Sequence, residues 1–455
     1  MPQGTVQIGA APAAALHGEL ADALARWDAA EAARLADADA YKQVQMGVAK
    51  AVKCATGNCY AQPIPCCPAE VGLVDLRNLE GLAGWTCVMP PGSRVGSFSA
   101  RHGVWAVASA PGALFAPGAT SVAQQAYWLL RATRAYCEPP HPRNVDGPAS
   151  AGATRSRIWD AALHDARAQA AAGDSAAFPS AYQHLAWATL GYAYDWTARR
   201  YVVPHAHMAL VARSSTAADG WIASGAIREP GAAQAEPCMP RDLAQWCQDG
   251  VQLFGQAAAR AAGTSAEPAV PSWTTFCAET AIVNFSKPGS VMGGHRDMSE
   301  LTMDMPVFSA SFGCAGVFLL GGATRAVRPL PVLLRSGDVM ILSGSARTAY
   351  HGVAAVVPSS GPEVDTVHIS PCSAGVATCE SSVATPSPAA SPLQQAGGSL
   401  YEPDTVGPIS EEDARLLALL AKNMRVNINV RQVIPRDAQR VLPVEDMPAS
   451  CAGHA

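Results

Sequence analysis

The sequence predicts an α+β protein whose core is a β-sandwich or jelly roll, preceded by a helical N-terminal extension. Residues 276–356 alternate short apolar runs with Gly, Pro, Asp and Ser turns, as in ETAIVNF, PVFSASFG and AGVFLLGG. Repeated short strands at this spacing are typical of sandwich and jelly-roll folds. Residues 425–433, RVNINVRQV, alternate polar and apolar side chains, as a strand does. Ala-rich segments of helical composition come earlier in the chain.

The composition allows a large core but gives no sign of a strongly basic surface. The chain has 455 residues, of which 49% are apolar and 15% charged, and its formal net charge is -5. This length is typical of one large unit with appendages, or of two domains. Because the net charge is slightly negative, a nucleic-acid partner would need a local basic surface.

The cysteines and the N-terminus indicate a reducing compartment. The 13 cysteines are odd in number and lack a framework spacing, which favours free thiols. The first 50 residues contain several acids and no hydrophobic leader, which argues against a targeting peptide. Cys54, Cys59, Cys66 and Cys67 could bind zinc, although their spacing is irregular, and free structural thiols are the alternative. No apolar run approaches the roughly 20 residues of a membrane span, so no membrane association is expected.

The first part of the chain is predicted to hold helices and short strands. Residues 19–52 are Ala-rich and favour one or two surface helices. Residues 84–115 alternate short strands and turns. Residues 120–137 favour an amphipathic helix with Thr120 or Ser121 as its N-cap.

The middle of the chain is less regular. Residues 148–180 are rich in Ala and Gly and indicate a loose insertion, and residues 215–238 indicate a loop. Residues 185–201 are aromatic and strand-like, and residues 241–262 predict a helix.

The last part of the chain returns to the core. Residues 359–408 are rich in Ser, Pro, Gly and Ala and predict a disordered loop inside the fold, because a required strand lies beyond them. A helix with Ser410 as N-cap and Asp413 three residues on precedes the closing strand. The predicted organisation is a helical extension at 1–80, a supporting region with a substrate-lid segment at 81–270, a jelly-roll core at 271–435 and a tail at 436–455.

Three residues have the pattern of a metal site. His295 and Asp297 are two positions apart, so on a strand they point to one face. His351 lies in a later strand-like run. Two histidines and one carboxylate with open coordination positions form the facial triad of non-haem iron(II) oxygenases. A solvent-exposed turn is the alternative interpretation of His295-Arg-Asp297 taken alone.

The closing strand presents two arginines on one face. Arg425, Asn427, Asn429 and Arg431 alternate with Val and Ile, so the polar side chains share a face that would look into the barrel. Buried arginines need anionic partners, and a guanidinium pairs well with a carboxylate. An edge strand with one solvated face explains the same alternation equally well.

Several runs, in the same order, resemble the AlkB dioxygenases. They are FCAETAIVNF (276–285), HRDMSE (295–300), GVFLLGG (316–322), LRSGDVMILSGSAR (334–347), YHG (350–352) and RVNINVRQ (425–432). Upstream, YCEPPHPRN (136–144) and LAWATLGYAYDW (185–196) resemble the branch around AlkB homologue one, in its plant and algal form. The resemblance implies a double-stranded β-helix, which is the jelly roll of these dioxygenases.

The resemblance implies roles for the polar residues named above. His295, Asp297 and His351 would ligate Fe(II), and Arg425 would bind the distal carboxylate of the co-substrate 2-oxoglutarate, which is used together with O2. Co-substrate roles are also implied for Asn284, Ser286, Asn427 and Arg431. The family often has tyrosine where this chain has Ser286, and a serine hydroxyl reaches less far, so weaker co-substrate binding is expected.

The aromatic segment resembles the family's substrate lid. Trp187, Tyr192 and Tyr194 are candidates for contact with a flipped base, because aromatic faces hold unstacked bases well. Core aromatics of a half-buried strand are the alternative.

The implied activity is oxidative demethylation of N-methylated bases in nucleic acid, with release of formaldehyde. N1-methyladenine in tRNA and N6-methyladenine in DNA are the expected substrates, and a monomer in the cytoplasm or nucleus is expected. The alternatives are a protein or histone hydroxylase or demethylase on the same scaffold, and a binding module without catalysis. An abasic-site lyase would need a nucleophilic lysine such as Lys287.

Overall fold

The computed structural model describes residues 39–55, 73–146, 157–174, 177–212, 215–231, 237–261, 271–358, 409–435 and 444–445. Three predictions therefore concern residues outside this set: the helical segment before residue 39, the 359–408 insertion and most of the tail. The four-cysteine zinc hypothesis also lies outside the described side chains.

Helices and strands are numbered here in chain order. The helices are α1 (Ala40–Ala55), α2 (Val122–Arg131), α3 (Ile158–Ala171), α4 (His205–Ala212), α5 (Ser215–Ala223), α6 (Arg241–Ala261), α7 (Pro271–Thr274), α8 (Gly344–Arg347) and α9 (Glu411–Asn423). The strands are β1 (Val74–Asp75), β2 (Trp85–Met89), β3 (Ser93–Val95), β4 (Phe98–Ala100), β5 (Val104–Val107), β6 (Ala113–Ala116), β7 (Trp187–Gly191), β8 (Tyr194–Asp195), β9 (Arg200–Val202), β10 (Ile227–Arg228), β11 (Met239–Pro240), β12 (Thr280–Ser286), β13 (Met292–His295), β14 (Val307–Gly313), β15 (Gly316–Leu320), β16 (Leu330–Leu334), β17 (Val339–Leu342), β18 (His351–Val356), β19 (Arg425–Arg431) and β20 (Val444–Glu445).

Two facing sheets form the core and confirm the predicted jelly roll. The major sheet has the order β2-β5-β6-β17-β14-β19-β12-β7, and the minor sheet has the order β1-β16-β15-β18-β13. Neighbouring strands are antiparallel except for the β1–β16 pair. A smaller sheet of β8, β9 and β10 follows the major sheet's edge strand β7 along the chain.

The strict alternation of β19 separates two environments. Val426, Ile428 and Val430 are fully buried in the cluster that also holds apolar residues of α2, α6 and α9. The polar face of β19 looks the other way, toward the minor sheet. An apolar layer that includes Phe318 and Leu342 fills the rest of the space between the two sheets. The prediction that the polar face of this strand looks into the barrel is therefore confirmed.

Two segments expected to be loose contain helices. Within residues 148–180, α3 buries Trp159 completely, and its indole donates a hydrogen bond to Asp413 at 2.8 Å. Within residues 215–238, α5 and β10 are formed. The expectation of loose structure was wrong there because a high Ala and Gly content hid helices that tertiary packing stabilises. That residues 148–180 are an insertion stays a prediction.

Helix starts agree well with the sequence patterns. Ser121 caps α2, since its hydroxyl accepts from the Gln124 amide while the Gln124 side chain accepts from the Ser121 amide. Thr120, the other candidate, precedes the cap. Ser410 caps α9 by accepting from the Asp413 amide at 3.1 Å.

Helix α1 is a part of the core rather than a surface helix. It packs on the outer face of the minor sheet, where Tyr41, Val44 and Val48 are buried. The Tyr41 ring packs against the glycine backbone of β13 and β18. The approach is so close that a Cβ on Gly294 would lie 2.4 Å from the ring. The predicted helix is confirmed over residues 40–52, but its expected position on the surface was wrong because one face is buried. The proposed boundary at residue 80 stays a prediction, although β1 pairs with β16 of the minor sheet.

No helix among the described residues is long and apolar enough to cross a membrane.

Substituting Gly352 tests the close approach of β18 to β13. A Cβ at position 352 would lie 2.6 Å from the Met292 carbonyl oxygen, whereas one at Gly293 would meet nothing within 4 Å. We expect Gly352→Ala to lower the free energy of unfolding by about 1–3 kcal/mol, as overpacking does, and Gly293→Ala to leave it nearly unchanged. Urea denaturation measures both; equal midpoints for the two variants would contradict this packing.

Candidate active site

A cleft lies between the two sheets. Strand β19 gives it a polar wall made of Arg425, Asn427, Asn429 and Arg431. The minor sheet contributes His295 and His351, with Asp297 just after β13, and apolar side chains complete the walls. The sequence therefore predicted correctly that these two sets of polar residues share one space.

His295, Asp297 and His351 form a three-donor cluster. Strands β13 and β18 place His295 directly opposite His351. The Nε2 atoms of His295 and His351 lie 3.8 and 3.7 Å from the two carboxylate oxygens of Asp297. All three donor atoms lie within 4.8 Å of one another. This separation suits a single metal ion held between them.

The orientation of both imidazoles fits metal binding. Nδ1 of His295 lies 3.0 Å from the Gly293 carbonyl oxygen, and Nδ1 of His351 lies 3.0 Å from the Ala349 carbonyl oxygen. A carbonyl oxygen accepts only, so each Nδ1 carries the proton and each Nε2 keeps its lone pair for the metal. Burial and the neighbouring His351 lower the pKa of His295, which also favours the neutral ring.

Asp297 is held as a carboxylate. Burial acts to raise its pKa, but the positive charge of Arg431 outweighs burial, and the pKa lies well below the ordinary value. The Arg431 guanidinium donates to Oδ2 at 2.6 Å. The group is therefore available as an anionic ligand.

Arg425 and Arg431 have different partners. Arg431 pairs with Asp297 and also lies 3.4 Å from a Glu300 oxygen. Arg425 is 3% exposed and donates to the Ser311 hydroxyl at 2.9 Å. Among the described residues no carboxylate pairs with Arg425, and its Nε has no hydrogen-bond partner. Burial lowers its pKa to about 10, so a small anion in the cleft would restore its charge balance.

The other predicted co-substrate residues lie along β12 and β19. Asn427 donates to the Ser309 hydroxyl at 3.0 Å and to the Ala310 carbonyl at 2.9 Å. Asn284 lies opposite Asn427, and Ser286 lies opposite Arg425. Directly opposed residues share a face of the sheet, but these two are not among the cleft-lining residues. Their co-substrate roles stay predictions.

The aromatic segment divides into core and surface. Tyr192 is fully buried, and its hydroxyl lies 3.2 Å from the His207 ring. The prediction that Tyr192 contacts substrate is therefore corrected, because the ring presents no surface. Tyr194 is half-buried, and its hydroxyl lies 3.1 Å from that of Ser299.

Trp196 is the most exposed aromatic residue of the predicted lid segment. It is 45% exposed, and its ring lies 5.1 Å from that of half-buried Trp187 and 4.9 Å from that of Tyr194. Its position between Asp195 and Thr197, polar residues of a turn, was the sequence signal for exposure. A large exposed ring packed against two other rings is a suitable platform for a planar ligand.

Sequence patterns also missed Glu300, Arg347 and Tyr201. These side chains are buried beside Asp297 and Arg431. No local pattern marked them, because Arg347 lies 47 residues and Tyr201 lies 99 residues along the chain from their common partner Glu300.

Fold and site together define an iron(II)- and 2-oxoglutarate-dependent oxygenase. Residues 166–431 match the 2OG-Fe(II) oxygenase superfamily, and the chain belongs to it. The family uses Fe(II), 2-oxoglutarate and O2.

Relatives by sequence come from the AlkB group. The chain is 28% identical over 337 residues to human "Nucleic acid dioxygenase ALKBH1", covering 74% of this chain and 68% of the relative. It is 25% identical to Arabidopsis thaliana "DNA N(6)-methyladenine demethylase ALKBH1A", covering 76% and 82%. It is 30% identical over 184 residues to Schizosaccharomyces pombe "tRNA demethylase abh1", covering 40% and 45%. A solved structure, that of OsALKBH1, aligns at a TM-score of 0.39 with 16% identity, over 71% of this chain and 97% of that one. The predicted resemblance to the branch of AlkB homologue one is confirmed.

The residues present fit both groups. Two imidazoles and one carboxylate with open space before them suit Fe(II). A buried guanidinium without a carboxylate partner in the described part of the chain suits one end of a dicarboxylate such as 2-oxoglutarate.

Removing the charge of Asp297 tests the metal site. We expect Asp297→Asn to weaken binding of Mn(II), used as an air-stable substitute for Fe(II), by at least about 100-fold, more than the loss of an outer partner costs. The matched control is Asp304→Asn, at an exposed carboxylate, which should bind Mn(II) as the native chain does. Electron paramagnetic resonance of free Mn(II) measures both; unchanged affinity in Asp297→Asn would disprove the site.

Proposed function

We propose that this protein is an oxidative demethylase of N-methylated bases in nucleic acid, acting on N1-methyladenine in tRNA, on N6-methyladenine in DNA, or on both. The observation that carries the proposal is that the three-donor cluster and Arg425, which pairs with no carboxylate of the described residues, face one cleft. The names of the relatives, which are nucleic-acid dioxygenases and demethylases, support the choice of substrate.

Bound Fe(II), with 2-oxoglutarate and O2, supplies the oxidising power that inserts one oxygen atom into an N-methyl C–H bond, and the hydroxymethyl amine then releases formaldehyde. The chain's own residues do the positioning. Arg425 orients the co-substrate by its distal carboxylate. Phe318, Met340 and Leu342 form the apolar part of the cleft wall and limit the entry of water.

The aromatic segment is the proposed site for the base. A methylated base inside a duplex is out of reach, so it must enter in single-stranded or flipped form. Exposed Trp196, with Trp187 and Tyr194 behind it, offers a stacking face that does not depend on sequence. A net charge of -5 favours a structured RNA gripped at a few points over extended contact with DNA.

The proposal includes a monomeric enzyme in the cytoplasm or nucleus. All three metal donors and Arg425 come from one chain, which supports catalysis without a second copy. Free thiols on buried cysteines such as Cys137 and Cys247 are compatible with a reducing compartment.

Turnover on defined substrates tests the proposal. With Fe(II), 2-oxoglutarate and air, we expect succinate and formaldehyde to rise together on a methylated oligonucleotide or tRNA, because one decarboxylation accompanies each hydroxylation. Mass spectrometry of the base identifies the substrate. His295→Ala should lose both products while His164→Ala, on helix α3, retains them. Turnover on a methylated peptide but on no nucleic acid would instead establish the protein hydroxylase.

Arg425→Lys tests the co-substrate contact. A lysine keeps the charge but loses the two-pronged geometry, so the KM for 2-oxoglutarate should rise about 10–100-fold, the loss of one strong hydrogen bond to a charged group. The kcat at saturating 2-oxoglutarate should change much less. Arg415→Lys, on the exposed surface of α9, is the control. A KM equal to that of the control would show that Arg425 does not hold the co-substrate.

A further inference from the structure

A chain of buried charges runs from Asp297 away from the cleft. The Asp297 carboxylate pairs with Arg431 at 2.6 Å, Arg431 lies 3.4 Å from Glu300, and Glu300 pairs with Arg347 at 2.9 Å. The side chains of Glu300 and Arg347 are 2% and 1% exposed. Two carboxylates and two guanidiniums therefore balance one another, and only the Asp297 side chain, at 16%, is more than 5% exposed.

Arg347 holds the backbone of the metal ligand as well. Its Nη1 donates to the Asp297 carbonyl oxygen at 2.7 Å, and its Nε donates to the Met305 carbonyl oxygen at 3.1 Å. Asp297 is thus fixed at two points, by Arg431 at the carboxylate and by Arg347 at the main chain. Glu300 contacts both of these arginines, so its position determines theirs.

Tyr201 connects this network to the small sheet. Its hydroxyl donates to a Glu300 oxygen at 2.9 Å, and its side chain is fully buried. Tyr201 lies on β9, paired with Tyr194 of β8, and the two rings are 5.1 Å apart. A physical path therefore runs from the exposed aromatic face at Trp196, through Tyr194 and Tyr201, to Glu300.

The buried ion pairs hold the residues of this path in fixed positions. Removing or displacing one member of a buried ion network leaves its partners uncompensated, which is costly. A shift of β9 that moved the Tyr201 hydroxyl would disturb Glu300, and through the two arginines it would disturb the orientation of Asp297.

We propose that Tyr201 and Glu300 are positioning residues that couple the sheet of β8, β9 and β10 to the metal ligand Asp297. Metal binding at the triad then orders this sheet, and an ordered sheet strengthens metal binding by the same factor, since coupling between two sites is reciprocal. The inference rests on the metal site of the proposed function and goes beyond it, because it assigns the aromatic sheet an effect on the metal.

The test uses Tyr201→Phe, which removes one hydroxyl, with Tyr182→Phe as the matched control. Tyr182 is also fully buried, and its hydroxyl donates to the Thr133 carbonyl oxygen at 2.7 Å, away from the site. We expect Tyr201→Phe to weaken Mn(II) binding about 10-fold, the lower end of what outer partners of a metal ligand contribute. Tyr182→Phe should bind Mn(II) as the native chain does, although both variants lose a similar amount of stability.

Hydrogen exchange supplies the second readout, which a merely structural role would not change. In the native chain and in Tyr182→Phe, adding Mn(II) should slow amide exchange in residues 194–202. In Tyr201→Phe and in Glu300→Gln, this metal-dependent protection should be lost while the fold persists.

The outcomes separate the two proposals. If the native chain binds Mn(II) and Tyr201→Phe binds it equally tightly with the same protection of residues 194–202, the coupling is disproved and the metal site stands. If the native chain itself binds no Mn(II), the proposed function fails first.

Discussion

The two-faced strand β19 is the constraint on which the structure depends. It runs between β12 and β14 in the middle of the major sheet, and its period of two directs Val426, Ile428 and Val430 into the helix layer. The same geometry forces Arg425 and Arg431 toward the minor sheet. A slip of one residue would exchange the two sets, burying guanidiniums among helices and emptying the cleft of cations. Folding and site construction are therefore a single requirement here.

The two arginines of β19 have different roles because they lie at opposite ends of the strand. Arg431 is paired with carboxylates of the protein, and its interaction with Asp297 raises its pKa and keeps that ligand charged. Arg425 lies six residues earlier and meets a serine hydroxyl instead. Arg431 is therefore a structural part of the metal site, whereas Arg425 is available to bind a small anion.

The confirmed sequence predictions rest on local periodicity. What the sequence did not predict depends on contacts between residues far apart in the chain. The His295/Asp297 spacing and the alternation of β19 are short-range patterns, so the jelly roll and the polar face were foreseeable. Tyr192 and Tyr194 share a spacing of two but differ in burial. Tyr192 lies in the bend after β7 and Tyr194 begins β8, so the two residues do not belong to one continuous strand. The separate roles of Arg425 and Arg431 depend on Glu300, a partner brought close only by folding, and no spacing in the sequence announces it.

The packing of Tyr41 on the glycine backbone of the minor sheet shows that the segment matched by the family and the unit that folds are not the same. The family match begins at residue 166, well after α1, β5 and β6. A chain cut there would leave β17 as an open edge, with unpaired amides and carbonyls. It would also uncover Gly294 and Gly352, the backbone that carries both histidines. The segment that matches the family is thus smaller than the unit that can fold. Helix α1, which precedes that segment, supports the metal site from the outer face of the minor sheet.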